Sequence, residues 1–483
     1  MRDGETFLNG LRDKREVWYR GERVDDVVEH DVLGTAARHV AADFDLQHDP
    51  LQRSLAVTAD DGGRSYSTFW HVPRSSEDLI RRSRLIEAST AHGATLVSLA
   101  REIGSDAAFA LRRVLAAGTP EAERASAFYQ RCREEDLAVA VAQTDVKGDR
   151  SQRPAEQADP DVYLRIVDRR PDGIVVRGAK AHTSCAPYVD ELVVIPTRAL
   201  AADERDWAVA FAIPVATPGL KLLCSDYLHT EDTPWTRPIS ATHKMIETLT
   251  VFDDVFVPWE RVFLDGRPEL AGRIALTFVE YHRFTAVSYK LPLLDALVGV
   301  AIALAEANGI SRAGHVRDKL TWLIGYAETV RGLAQLAATR ARIDPATGVA
   351  YPDPLTTNLA KWTFAREYAR AVEHVTDIAG GLLVTGPGDA DWASPELRPY
   401  FEKYFSGAAP AEERLALLNL ASELTARDYA GYQSVLAVHA EGSLEAEKLM
   451  LHRSYDPRPA LDFVRRLTGI APRAAQEVTA HTS

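Results

Sequence analysis

From the start of the chain to about Glu135, apolar residues recur mostly at spacings of three and four. EDLIRRSRLIEASTAHGATLVSLAREIG and AAFALRRVLAAG carry this period and predict amphipathic helices. From about Asp136 to Phe263 the texture changes to short β-branched runs separated by turn residues. DLAVAVAQTD, VYLRIVDRR, GIVVRGAKAH, ELVVIPTRA, WAVAFAIPV and LTVFDDVFVP predict strands, with Pro171-Asp172-Gly173 marking a hairpin. After Pro258-Trp259 the helical period returns. Segments 273–308, 313–343 and 354–380 are long enough for a bundle with its own core. The pattern divides the chain into N-terminal helices (1–135), a sheet or barrel (136–265), a C-terminal helical bundle (266–470) and a frayed tail (471–483).

Composition narrows this α+β picture. The 483 residues are 46% hydrophobic and 26% charged, an ordinary globular balance. Lys plus Arg number 56 against 69 Asp plus Glu, a net charge of −13 that repels phosphate backbones and argues against nucleic acid as the main partner. Cys132, Cys185 and Cys224 are far apart, with no CxxC spacing, so neither a disulfide framework nor a zinc knuckle is expected. The opening MRDGETFLNG lacks a signal-peptide core, and the most apolar run, Leu291–Ala307, is interrupted by Asp295. It falls short of the roughly 18 apolar residues of a membrane span. A cytoplasmic protein without a membrane partner is expected.

GxGxxG after a strand, GxxxxGK[ST], HExxH and GxSxG are all absent, so the common dinucleotide, phosphate, zinc and serine-hydrolase readings have no motif behind them. Four polar clusters remain. The loop Thr144–Ser151 holds Lys147, Asp149 and Arg150 around Gly148, a tight turn able to face an anion or simply to be solvated. Next, His182-Thr183-Ser184-Cys185 ends a strand, and its hydroxyls and amides suit the polar edge of a flat ring or an ordinary turn. His282 and Lys290, eight residues apart, share roughly one helix face and call for an anionic partner if buried. Gly380-Gly381 breaks a helical stretch, either as a C-cap or to admit a cofactor closely.

Taken in order, these clusters resemble the flavoprotein family of 4-hydroxyphenylacetate 3-hydroxylases over residues 5–470. GETFLNGLRDKREVWYRGERVDD, DLQHDP, DPDVYLRIVDRRPDGIVVRGAKAH, VFDDVFVPWERVFL and DIAGGLLVTGPGDAD carry the resemblance. TDVKGDRS, GAKAH, EYHRFTAVSYK, HVRDKL and the DIAGG segment look most like the branch of 4-hydroxybutyryl-CoA dehydratase and vinylacetyl-CoA isomerase. The resemblance implies an acyl-CoA dehydrogenase-like fold with a middle β-barrel, FAD between barrel and bundle, and a homotetramer. It assigns flavin contacts to Asp149, Arg150, Ser151, His182, Thr183 and Ser184. Gly380 and Gly381 would reach FAD in a neighbouring subunit.

The departures from the family carry the functional expectation. The Tyr and His that phenol hydroxylases of the family use fall at Ala107 and Val141, and Arg101 lies near the family's Arg position. Deprotonation of a phenol thereby loses its usual donor and base. The dehydratase branch holds a [4Fe–4S] cluster through three Cys and one His. Those positions read Ser98, Glu102 and Tyr289, leaving only His282, and such side chains are poor substitutes for thiolates. No cluster is expected. Glu247, His282 and Lys290 align with dehydratase active-site residues, while two others are replaced by Ala286 and Leu436. An open polar pocket lined by Ser98, Glu102, Arg101, His282 and Tyr289 is expected, with Glu247, His282 and Lys290 catalytic.

The leading expectation is a two-component monooxygenase that receives reduced FAD from a separate reductase and acts on a small polar or tethered molecule. The alternatives are a cluster-free flavin isomerase, dehydratase or desaturase, and a flavin-binding paralogue without turnover.

Overall fold

A computed structural model describes residues 1–226 and 233–470; the expected tail at 471–483 lies outside the described residues. The helix–sheet–helix order is present, with differences at the joins. The first apolar-periodic stretch does not run as one helix to Gly104. It forms Ser76–His92, opened by a Ser75–Asp78 capping box, and then Glu102–Val114. Between them Ala94, Thr95 and Leu99 take left-handed backbone angles (φ +50°, +84° and +57°), which no helix continues through. The N-terminal region also gives strands to the middle of the molecule: Glu16–Tyr19 pairs parallel with Leu220–Cys224.

Among the described residues the strands of the middle region form two open sheets instead of the expected closed barrel, with two separate two-stranded pairs elsewhere. The six-stranded sheet runs Glu22–Val24, Glu16–Tyr19, Leu220–Cys224, Thr248–Pro258, Gly173–Lys180, Arg165–Arg170. The four-stranded sheet runs Val262–Asp265, Val209–Pro214, Glu191–Val194, Val139–Ala142. The outer strand Arg165–Arg170 is exposed and ion-paired along its second half, so that edge stays in water instead of closing a ring. Both Val139–Ala142 and Glu191–Val194 are buried throughout, as strands covered on both faces are.

Behind the sheets, the predicted segment 273–308 is two helices, Pro268–Tyr289 and Leu291–Ala307. Pro292 lacks an amide hydrogen and clashes with the carbonyl four residues back, so the helix breaks there and Lys290 stands at the joint. Together they are long and apolar enough to cross a membrane, yet 67% of that window is buried within the fold, as in a core helix. Gly314–Thr339 and Pro354–Ala379 pack alongside.

One segment ties sheet to helices. Residues 233–247, which lead into the strand Thr248–Pro258, lie on the helix Ala411–Thr425. Glu423 of that helix accepts the amides of Ile239 and Ser240 at 2.6 and 3.1 Å, and Asn419 donates to the Trp235 carbonyl at 2.9 Å. Asp389 accepts from Thr236 at 2.8 Å.

Candidate functional site

The strand Gly173–Lys180 ends with Lys180 buried, its ammonium donating to Asp145 at 2.6 Å and to the Gln143 carbonyl at 2.9 Å. The next five residues alternate. The amides of Ala181, Thr183 and Cys185 donate to the carbonyls of Thr144, Thr248 and Ile246. Those of His182 and Ser184 take no protein partner among the described residues. His182 and Cys185 sit at positive φ (+53° and +57°), which kinks the strand end outward. Behind it runs a ladder of hydroxyls: Thr250 donates to Thr183 at 2.9 Å and lies 2.9 Å from Thr248.

Ser184 donates to both oxygens of Glu247 at 2.9 Å, and Tyr432 donates to one of them at 2.8 Å. Burial raises the Glu247 carboxyl above its ordinary range, and these two hydroxyls only partly oppose the rise.

The helix Pro268–Tyr289 brings its end to the same region, with Tyr289 in the field of Glu247. Lys290 donates to Glu441 at 2.9 Å, Tyr289 also donates to that carboxylate, and Lys361 lies 3.7 Å away. Burial opposes ionisation of Glu441, but Lys290 and Lys361 hold it down at about 2. Burial pulls Lys290 down to about 8, so the pair is ionised at neutral pH. His282 is stacked on Phe278 at 5.1 Å, and its Nδ1 faces Asp106 Oδ2 at 3.6 Å, too long for a hydrogen bond. The other Asp106 oxygen accepts from Arg82 at 2.7 Å and from Thr285 at 3.1 Å.

Ser98 and Glu102 do share a face, but the open pocket expected there is closed. Both are buried, the Ser98 hydroxyl is 3.4 Å from each Glu102 oxygen, and the Arg101 amide donates to Glu102 at 3.1 Å. Burial and the nearby Asp43 push Glu102 up to about 7.

Arg101, expected to line that pocket, is buried and paired. Its guanidinium pairs with Asp43 at 3.0 Å and Asp136 at 3.1 Å, and stacks over Phe44 and Phe69 at 4.1 and 4.8 Å. It is a buried tie within the N-terminal region, because two aspartates from distant segments claim its charge.

Asp149, Arg150 and Ser151 lie exposed on a turn in which Asp149 accepts from the Ser151 amide and hydroxyl at 3.0 and 2.7 Å. Gly148 (φ +53°) is needed there: a Cβ would stand 2.7 Å from Gln157 Oε1 and 3.0 Å from the Tyr163 hydroxyl. His182, half-exposed, is lowered by burial and then by Lys147 and His439. Gly380 and Gly381 are exposed past the end of Pro354–Ala379, with nothing within 4 Å of an added Cβ, so neither makes a close approach within this chain.

Glu441, Tyr432, Asp106 and Lys361 were missed by sequence reading. An acid 151 residues from its lysine leaves no spacing signal.

Helices, two packed sheets and a second set of helices with this site at their junction define an acyl-CoA dehydrogenase-like fold. Residues 3–264 match the family described as 4-hydroxyphenylacetate 3-hydroxylase N terminal, and residues 271–469 the one described as its C terminal; the chain belongs to this family. It is 31% identical to the 4-hydroxyphenylacetate 3-monooxygenase oxygenase component of Thermus thermophilus, covering 99% of this chain and all of that one. It is 30% identical to the 4-hydroxybutyryl-CoA dehydratase/vinylacetyl-CoA-Delta-isomerase of Clostridium aminobutyricum, over 96% and 99% of the two chains. A crystal structure of the oxygenase component of 4-hydroxyphenylacetate 3-monooxygenase complexed with FAD superposes with a TM-score of 0.91 at 30% identity, covering 97% and 98%.

The positions at which the dehydratase branch would hold iron do not fit a cluster here. Ser98 and Glu102 are closed on each other and Tyr289 is hydrogen-bonded to Glu441, so among the described residues no thiolate and no free donor set faces His282.

Proposed function

We propose that this chain is the oxygenase component of a two-component flavin-dependent monooxygenase. It takes reduced FAD from a separate reductase and oxygenates a small polar or carrier-tethered substrate other than a simple phenol. The observation that carries the reading is the strand end at 181–185. Its His182 and Ser184 amides, without a protein partner among the described residues and backed by the Thr183 hydroxyl ladder, match the donors and acceptors of a flavin's polar edge. Relatives named as oxygenase components, and one solved with FAD, support it over nearly the whole chain.

Lys147 and Arg150 would meet the cofactor's phosphates, with Asp149 and Ser151 holding their turn. Gly380 and Gly381 leave backbone open to a neighbouring subunit, in keeping with a homotetramer. When bound, reduced FAD supplies the electrons that activate oxygen. The chain's own residues orient and exchange protons. Ser184 and Tyr432 fix Glu247, whose carboxyl burial raises above its ordinary range, which suits it to take up and pass on a proton beside the strand end at 181–185. His282, stacked on Phe278 and facing Asp106, lies in buried surroundings within the field of Glu441. Ala107 and Val141 offer no phenol-binding donor or base.

The test is direct. FAD-loaded protein is reduced anaerobically and mixed with oxygen in a stopped-flow spectrometer. An oxygenase delays the return of the oxidised flavin spectrum and releases little hydrogen peroxide. Immediate return with stoichiometric peroxide counts against it. Iron and sulfide at stoichiometric levels in anaerobically prepared protein would overturn the cluster-free reading.

A further inference from the structure

Where the helix Pro268–Tyr289 ends against Pro354–Ala379, the fold builds a buried cationic cluster. Lys290 and Lys361 enter it with 3% and 0% of their side-chain surface exposed. Two buried ammonium groups side by side demand an anion. This chain supplies its own: the carboxylate of Glu441 accepts from Lys290 at 2.9 Å and from Tyr289, while Lys361, 3.7 Å from Glu441, lies nearer a second buried carboxylate, Glu447, at 3.2 Å. Arg283 grips the same residue from behind, its Nε donating to the Glu441 carbonyl at 2.9 Å.

The backbone is bent to deliver this carboxylate. Glu441 has φ +57°, and Gly442 follows at φ +114° with a would-be Cβ only 2.5 Å from Arg283. A non-glycine residue in that region persists where its surroundings enforce it. The cluster also adjoins the site described above. Tyr289 lies in the field of Glu441 and Glu247, and Glu441 in that of His282. A substrate carboxylate reaching for Lys290 would meet a carboxylate already in place. Arg101, another cation expected at the substrate, is held by Asp43 and Asp136.

We propose that Glu441 is the specificity determinant of the site: it holds, in cis, the place of an anionic substrate group. The substrate admitted beside Glu247 and Tyr289 therefore carries a neutral or cationic end toward Lys290, such as an alcohol, amide or amine, and not a carboxylic acid. This rests on the reading of that region as the substrate site.

Three probes of one size separate the possibilities: 2-phenylethanol, phenethylamine and phenylacetate, titrated by calorimetry into the FAD-loaded full chain. Phenylacetate is expected to bind about tenfold more weakly than phenylethanol, or worse, a difference typical of an unpaired charge at a polar contact. Glu441→Ala takes the carboxylate from Lys290 while Glu447 stays on Lys361, and is expected to improve phenylacetate by about tenfold, a gain lost again in Glu441→Ala/Lys290→Met. Acetate, at matched ionic strength, is expected to raise the melting temperature of Glu441→Ala and not that of the wild type.

Phenylacetate binding the wild type as tightly as phenylethanol overturns the proposal, and that measurement needs no variant. So does a Glu441→Ala protein that gains neither phenylacetate nor acetate. Should no probe bind the wild type, the acetate comparison decides. Failure of FAD to bind in the same samples counts against the flavin reading alone, because the anion site remains measurable on FAD-free protein.

Discussion

Replacing Arg101 with Met removes a buried cation and leaves its volume nearly unchanged. Asp43 and Asp136 would then face each other's region with no counter-charge, each with 2% of its side chain exposed. Burial opposes the guanidinium's charge, and those two carboxylates more than offset it, so its loss is felt by both. Breaking a buried pair from one side costs about 3–5 kcal/mol. Stacking over Phe44 and Phe69 adds to the loss, and Met recovers part of that packing. The expected result is a marked fall in the urea midpoint of FAD-free protein, followed by tryptophan fluorescence, with the FAD dissociation constant unchanged. Arg101→Lys, reaching one aspartate instead of two, should fall between. If Arg101→Met keeps full stability while probe binding disappears, the guanidinium belongs to the substrate site and the assignment as a structural tie is wrong.

Glu441, held at about 2 against an ordinary 4.5, contributes stability that is present above pH 4.5 and lost as pH falls toward 2. Glu441→Gln should therefore be less stable than the wild type by about 3 kcal/mol at neutral pH, the two converging in acid; a gap that ignores pH sinks this account. Glu102, pushed up to about 7, behaves oppositely: its stability contribution is full below pH 4.5 and lost as pH rises through 7. Glu102→Gln should match the wild type near pH 4.5 and exceed it above pH 7, read from urea midpoints at both pH values. Glu247→Gln should keep FAD bound and lower turnover by about 100-fold or more, as loss of a proton-transfer group does; unchanged turnover removes Glu247 from the chemistry. Tyr432→Phe, taking one donor from Glu247, should shift the pH profile of turnover while leaving FAD binding intact.

The alternation of helical and strand periods was enough to place the helix–sheet–helix order, because each element buries one regular face. It misled where local backbone overruled period. The turn at Ala94 and Thr95 cuts an apparently continuous helix, and Pro292 splits another, although that proline was visible in the sequence. Strand closure was not legible, since which edges pair is settled by contacts far apart in the chain. At the site, Ser184, Glu247, Tyr289 and Lys290 were named from sequence, and the structure joins them through Tyr432 and Glu441. Those two joints come from helices and loops near the far end of the chain, where no motif marks them. Arg101 was read as a ligand group because an arginine beside a pocket position looks the same in sequence whichever way it points.

The segment 233–247 has a bearing on how such proteins are recombined. Glu247 belongs to the sheet by sequence, but its approach is moored by Glu423, Asn419 and Asp389 of the helical part. A chimera spliced near residue 266, taking its sheets from one relative and its helices from another, would retain the glutamate and exchange its moorings. Parents compatible at those three anchors should yield working hybrids. Mismatched parents should yield well-folded proteins with a displaced acid, which makes the crossover point itself a handle on activity.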